Sequence, residues 1–199
     1  MVARAAGAVN ADPTSSTSYT ANAAFGSGTQ IGTGNYVVYN GTGTSASITG
    51  LTAGTIYHFA VYEYNTTDTC YNATELTGNL TTNLPPSLAI AGSLTENTAL
   101  NNGQVTLTLT NDTFADATLA QGNFTLNNAP TGVSISGVQY NSPTSATISL
   151  AYNATDFDAN VTNFNITVAN AELAVSTGPL ASGNLTITAV AETLTLGTI

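Results

Sequence analysis

Apolar residues in this chain come in short runs that alternate with Thr, Ser and Asn, as in Val105-Thr106-Leu107-Thr108-Leu109. Successive side chains on a strand point to opposite faces, so a period of two marks a half-buried strand and does not suit a helix. Such runs cover 36–39, 45–51, 55–64, 105–109, 133–138, 147–152, 161–168 and 185–190, and helical patterns are almost absent. Turn-forming residues stand between them: Gly41 with Gly43, Asn101-Asn102-Gly103, Ala129-Pro130 with Gly132, Ser142-Pro143 and Gly183-Asn184. Many short strands at this spacing predict an all-β chain of sandwiches or barrels. Leu84-Pro85-Pro86 reads as a stiff linker, because consecutive prolines hold polyproline geometry and cannot donate to a ladder. The reading is therefore two tandem β-sandwiches, 1–84 and 85–190, followed by a tail, 191–199, and 199 residues suffice for two such cores.

Charge excludes several classes of function. Arg4 is the only Lys or Arg against 11 acidic residues, a net charge of −10. Neutralising phosphates takes several cations, so nucleic acid is excluded as a partner, and an anionic membrane surface is disfavoured for the same reason. The absence of Lys removes Schiff-base chemistry, P-loops and Lys–Asn isopeptide cross-links. No window reaches the run of roughly eighteen apolar residues that a membrane-spanning helix needs. The first nine residues are too few, and too interrupted by Gly7, for a secretory core. A single Cys, Cys70, excludes an internal disulfide and is read as a buried or unreactive thiol in preference to an intermolecular bridge.

The run Leu51-Thr52-Ala53-Gly54-Thr55-Ile56-Tyr57, with Phe59, Val61 and Glu63 in alternation after it, resembles the E-to-F corner of a fibronectin type III domain. The resemblance makes Tyr57 the corner tyrosine, whose hydroxyl bonds upstream backbone. Asn10-Ala11-Asp12-Pro13 and Gly34-Asn35-Tyr36-Val37-Val38-Tyr39 are similar to the variant of this domain found in very large bacterial surface proteins. The likeness covers residues 1 to about 83 and departs in one respect. Val2-Ala3-Arg4-Ala5 resembles strand C, so strands A and B have no counterpart, and neither does the Trp of strand B. Residues 85–190 are similar, more loosely, to immunoglobulin-like repeats of bacterial adhesins and extracellular fibres.

A sandwich short of two strands leaves apolar faces and unpaired backbone open to water. The tail keeps Leu194 and Leu196 in period two, with Ile199 out of phase, and is long enough for one strand. The expectation is a donor strand that completes the first sandwich of the next copy, building a head-to-tail homopolymer. The rival is a piece of a long multidomain surface protein, acting in adhesion or carbohydrate binding through Tyr36, Tyr39, Tyr62 and Tyr64. Strand edges without Lys need cover from neighbouring subunits or glycans, which points to an extracellular or cell-surface setting.

Asn-x-Thr occurs at Asn40, Asn65, Asn72, Asn79, Asn111, Asn123, Asn153, Asn160, Asn165 and Asn184, ten sites against roughly six expected from composition. Each is a glycan acceptor by motif, although strand alternation alone produces Asn-apolar-Thr at Asn79, Asn123, Asn160, Asn165 and Asn184. Asp156, Asp158 and Asn160, spaced two apart, form a calcium candidate that lacks the Gly and terminal Glu of an EF-hand, and a solvated acidic loop is the simpler reading. His58, between Tyr57 and Phe59, is assigned to the outer face of its strand with no triad partner in view. No pair of acids stands out for glycoside hydrolysis. The chain is expected to have no cofactor and no enzymatic activity, and to serve a mechanical role.

Overall fold

A computed structural model describes residues 1–72 and 74–191. The chain is all-β with several antiparallel sheets, and three short 3-10 turns (Asn97–Ala99, Gln121–Asn123, Asn170–Glu172) are its helical content among the described residues. It divides into two compact units, Met1–Leu84 and Pro85–Ile199.

The first unit contains β1 (Val2–Arg4), β2 (Tyr36–Val37), β3 (Ile56–Val61), β4 (Tyr64–Asn65), β5 (Cys70–Tyr71) and β6 (Leu76–Thr81). Four of these form one antiparallel sheet in the order β2-β1-β3-β6, while β4 and β5 make a separate hairpin. One face of the sheet carries a small core in which Val2 and Val37 meet Ile31, with Val9, Ala11, Tyr19, Ala21 and Tyr62 around them. Long irregular segments cover that face, and a buried amide ties them together. Asn35 Nδ2 donates to Asn10 Oδ1 (2.9 Å) and to the Ile31 carbonyl (2.8 Å), so both of its amide hydrogens are used.

Residues 45–51, read from the sequence as a strand, are not one. Their backbone touches a neighbour through a single bridge, Ala24 to Thr49, so the alternation has no ladder to join. Of the reading of Cys70 as a buried or unreactive thiol, the buried alternative fails. Cys70 lies exposed on the β4–β5 hairpin, a two-stranded ribbon with no sheet stacked over it to bury a side chain.

The second unit contains β7 (Ser87–Ala91), β8 (Leu94–Thr95), β9 (Gln104–Thr110), β10 (Phe124–Asn127), β11 (Val133–Ser142), β12 (Ser145–Tyr152), β13 (Val161–Val168), β14 (Leu180–Ala181) and β15 (Leu185–Thr188). One sheet runs β11-β12-β9-β7 and the other β10-β13-β15-β8, with β14 also on β13. Strict alternation delivers one side chain in two to a shared interior: Val105, Leu107 and Leu109 from β9, Ile148 and Leu150 from β12, Phe164, Ile166 and Val168 from β13. Each such side chain, fully buried, contributes about 1.5–3 kcal/mol. Where β14 and β15 break beside β13, Ser182 fills the gap, its Oγ accepting the Ile166 N–H at 3.1 Å.

Among the described residues of this unit three carboxylates are buried, and none meets a cation. Each receives donors from residues distant in sequence. Glu96 takes the N–H of Phe157 (3.0 Å) and of Val190 (2.8 Å). Asp112 takes those of Thr113 (2.8 Å), Val175 (2.9 Å) and Ser176 (3.0 Å), and the Ser176 hydroxyl at 2.5 Å. Glu172 takes the Ala120 N–H (3.1 Å) and the Asn123 amide (2.6 Å). In a chain almost without cations, backbone N–H groups supply the compensation that buried acids require. The N–H groups of Val190 and Phe157 hold the Glu96 carboxyl below its usual range. Burial pushes Asp112 upward, but the hydrogen bonds from Ser176, Val175 and Thr113 outweigh it and the net shift is also downward.

Candidate functional site

The first unit leaves one region of its sheet open. The β3–β6 register pairs Tyr57 with Leu80, Phe59 with Gly78 and Val61 with Leu76, so these residues share a face. Phe25 covers the Tyr57 end, its ring edge-on to Tyr57 at 4.9 Å and to Tyr36 at 5.3 Å. Beyond Phe25 the face is bare: Leu76 is 76% exposed, Leu80 65% and Val61 41%. Every residue of β6 is exposed, and among the described strands none pairs with its outer edge. That edge carries neither Lys nor Pro, the usual guards against further pairing. The opposite edge is different, since residues 22–30 bond along β2 through Asn22 N–H to the Val37 carbonyl (3.1 Å) and Val37 N–H to the Thr29 carbonyl (2.9 Å). The open patch therefore combines an apolar face with an unpaired six-residue edge.

Tyr57 anchors the start of β3. Its hydroxyl accepts the Thr52 N–H at 2.9 Å, and its ring is 3% exposed. Gly54 takes a left-handed φ of 65° in the intervening turn, which a residue without Cβ adopts freely. Thr82 closes the corner from the exit of β6, its Oγ1 donating to the Thr52 carbonyl at 2.6 Å. Tyr57→Phe removes the acceptor for Thr52 and is expected to lower the stability of this unit by about 1–2 kcal/mol in denaturant titrations. A change within error would assign the anchoring to Thr82 instead.

The four tyrosines proposed from sequence as one platform do not converge. Tyr39, Tyr62 and Tyr64 come together, but Tyr36 packs on Phe25. The reason is parity, since positions 36 and 39 fall on opposite faces of an extended segment. Tyr19 and Tyr71, which no periodicity singles out, join the group in its place. His58 sits in mid-sheet between Arg4 and Asn79, on the face away from Tyr57.

Of the Asn-x-Thr sites, Asn40, Asn65, Asn72, Asn79, Asn111, Asn153, Asn160 and Asn184 are exposed, and Asn123 and Asn165 are half-buried. Asn123 commits its amide nitrogen to Glu172, and Asn165 commits its own to the Asn163 carbonyl (3.2 Å). Asn65, Asn72 and Asn153 instead accept the N–H of their own motif's Thr through Oδ1, at 2.8, 3.0 and 3.1 Å. Asp156 and Asp158 lie on an exposed loop, and Asn160 Oδ1 accepts the Ala189 N–H at 2.9 Å. Among the described residues no group of three or more His, Cys, Asp or Glu is placed to hold a metal ion. Leu194, Leu196 and Ile199, the donor-strand residues, lie outside the described residues. Scans against protein-family models, curated proteins and solved structures found no match.

Proposed function

We propose that this chain is a structural module of an extracellular surface fibre, built of two tandem immunoglobulin-like sandwiches, the first of fibronectin type III type. In this reading residues 191–199 of a second copy lie along β6 and cover Leu76 and Leu80, adding the strand that the first unit lacks and linking copies head to tail. The bare apolar face beside an unpaired edge carries the reading. Leu194 and Leu196, in period two near the far end of the chain, match it in chemistry. A surface with no Lys, ten Asn-x-Thr motifs and few charged groups agrees with an external, glycan-bearing or subunit-covered setting.

Light scattering over a concentration series tests this. The full chain is expected to form multiples of 20.1 kDa and, at high concentration, fibres visible by electron microscopy. A chain ending at residue 190 is expected to stay monomeric. A full-length monomer, or assembly that persists without the tail, overturns the proposal.

A further inference from the structure

Five tyrosines from four stretches of the first unit, Tyr19, Tyr39, Tyr62 with Tyr64, and Tyr71, line one cleft of about 470 Å³. This lies within the range of small-ligand sites. Every one of their hydroxyls is already engaged. Tyr19 accepts the Thr14 N–H (2.9 Å) and Tyr39 accepts that of Gly43 (2.7 Å). Tyr62 donates to Asp12 Oδ1 (2.9 Å), Tyr64 to Asn40 Oδ1 (2.8 Å) and Tyr71 to the Thr17 carbonyl (3.0 Å). A ring tethered at its far end has one orientation, so the entropy of ordering these side chains is spent before any ligand arrives. Tyr64 and Tyr71 stand 5.2 Å apart with their planes tilted by only 31°, and Tyr19 meets Tyr71 edge-on at 5.9 Å.

The rest of the lining narrows the ligand class. Val2, Ile31 and Val37 contribute apolar surface, and the 40–45 loop contributes an amide, two hydroxyls and glycine backbone. No acidic or basic side chain lines the cleft. Asn40 gives its oxygen to Tyr64 and keeps its amide hydrogens, while Tyr19 and Tyr39, as acceptors, each keep a hydroxyl hydrogen to donate. The Met1 ammonium at the cleft wall is already bonded to the Tyr39 carbonyl (2.7 Å), no lining side chain offers a charged ligand a counter-ion, and an anionic ligand also meets a net charge of −10. A purely apolar ligand strands the rim donors. Flat aromatic faces bordered by neutral donors and acceptors match a pyranose ring, which has an apolar C–H face and a belt of hydroxyls.

We propose that this cleft binds a neutral oligosaccharide, with sugar rings stacked against Tyr64 and Tyr71 and hydroxyls bonded to the 40–45 loop. The site shares Val61 with the open patch but uses neither the β6 edge nor assembly.

Saturation-transfer NMR and calorimetry on the intact chain, with cellotriose, maltotriose, mannotriose and chitotriose as probes, provide the test. At least one sugar is expected to receive saturation from tyrosine ring protons at millimolar concentration. Tyr71→Ala is expected to weaken that binding by roughly tenfold or more, whereas Tyr71→Phe, which keeps the ring face, changes it by no more than about threefold. The ring-to-sugar transfer in the unmodified chain decides the matter even if the alanine variant misfolds. Absence of transfer to every probe, binding that survives Tyr71→Ala in a folded chain, or displacement of the sugar by a polyproline peptide overturns the proposal. The last outcome would mark the cleft as a groove for proline-rich segments.

Discussion

Asp112→Ala is expected to lower the unfolding free energy of the second unit by about 3 kcal/mol, a fall in Tm on the order of 10 °C. The carboxylate is 4% exposed and serves four donors, so truncation strands the N–H groups of Val175 and Ser176 inside the structure. Asp112→Asn keeps the shape but turns an NH2 group toward donors, and is expected to recover only part of the loss. The pH dependence has a definite sign. Asp112 and Glu96 both have carboxyls held below their usual range when folded, so the unfolded chain takes up protons first as acid is added. Their stabilisation is complete above the ordinary carboxylate range and is lost as pH falls through the depressed folded values. Thermal melts should therefore be flat near neutrality and drop below about pH 4, and Asp112→Ala should flatten that drop as well as lower the plateau. An alanine variant as stable as the parent at pH 7 would show that the 173–176 segment is held by packing alone.

The pair Leu76→Asp with Leu80→Asp should leave the first unit as stable as before while abolishing association. Surface substitutions away from special features change stability by no more than about 0.5 kcal/mol, and these two side chains touch mostly solvent in the single chain. At a strand-completed interface, each loses about 1.5–3 kcal/mol of apolar burial, which together weakens association by roughly a hundredfold or more. Leu150→Asp is the contrast, because its side chain is fully buried and a charge there is expected to unfold the second unit. If the double variant melts early, Leu76 and Leu80 are covered within the chain. If it still assembles, contact between copies lies elsewhere.

The segments legible in advance are those whose burial is decided locally. Val161–Val168 is a strand over the residues that its alternation marks, and 147–152 falls within Ser145–Tyr152. There the pleat itself sends Phe164, Ile166 and Val168 inward. The Leu76–Thr81 strand escaped notice because Gly78 and Asn79 interrupt its apolar residues, and ladder bonds to β3 rather than burial make it a strand. The 45–51 run shows the converse, alternating in sequence but without a neighbour to bond. The three buried acids left no local trace, since what distinguishes Asp112 from exposed Asp116 is a loop more than sixty residues away.

Alternation, turn residues and missing cations determined from sequence alone that the chain is all-β and that its acids cannot be neutralised by ion pairs. Both follow from composition and from the two-residue repeat of an extended backbone, which neighbours cannot alter. Tertiary structure alone decided which face stays bare, which tyrosines converge and which carboxylates clamp distant loops. Each of these depends on segments far apart in sequence meeting in space, and residue spacing carries no record of such meetings.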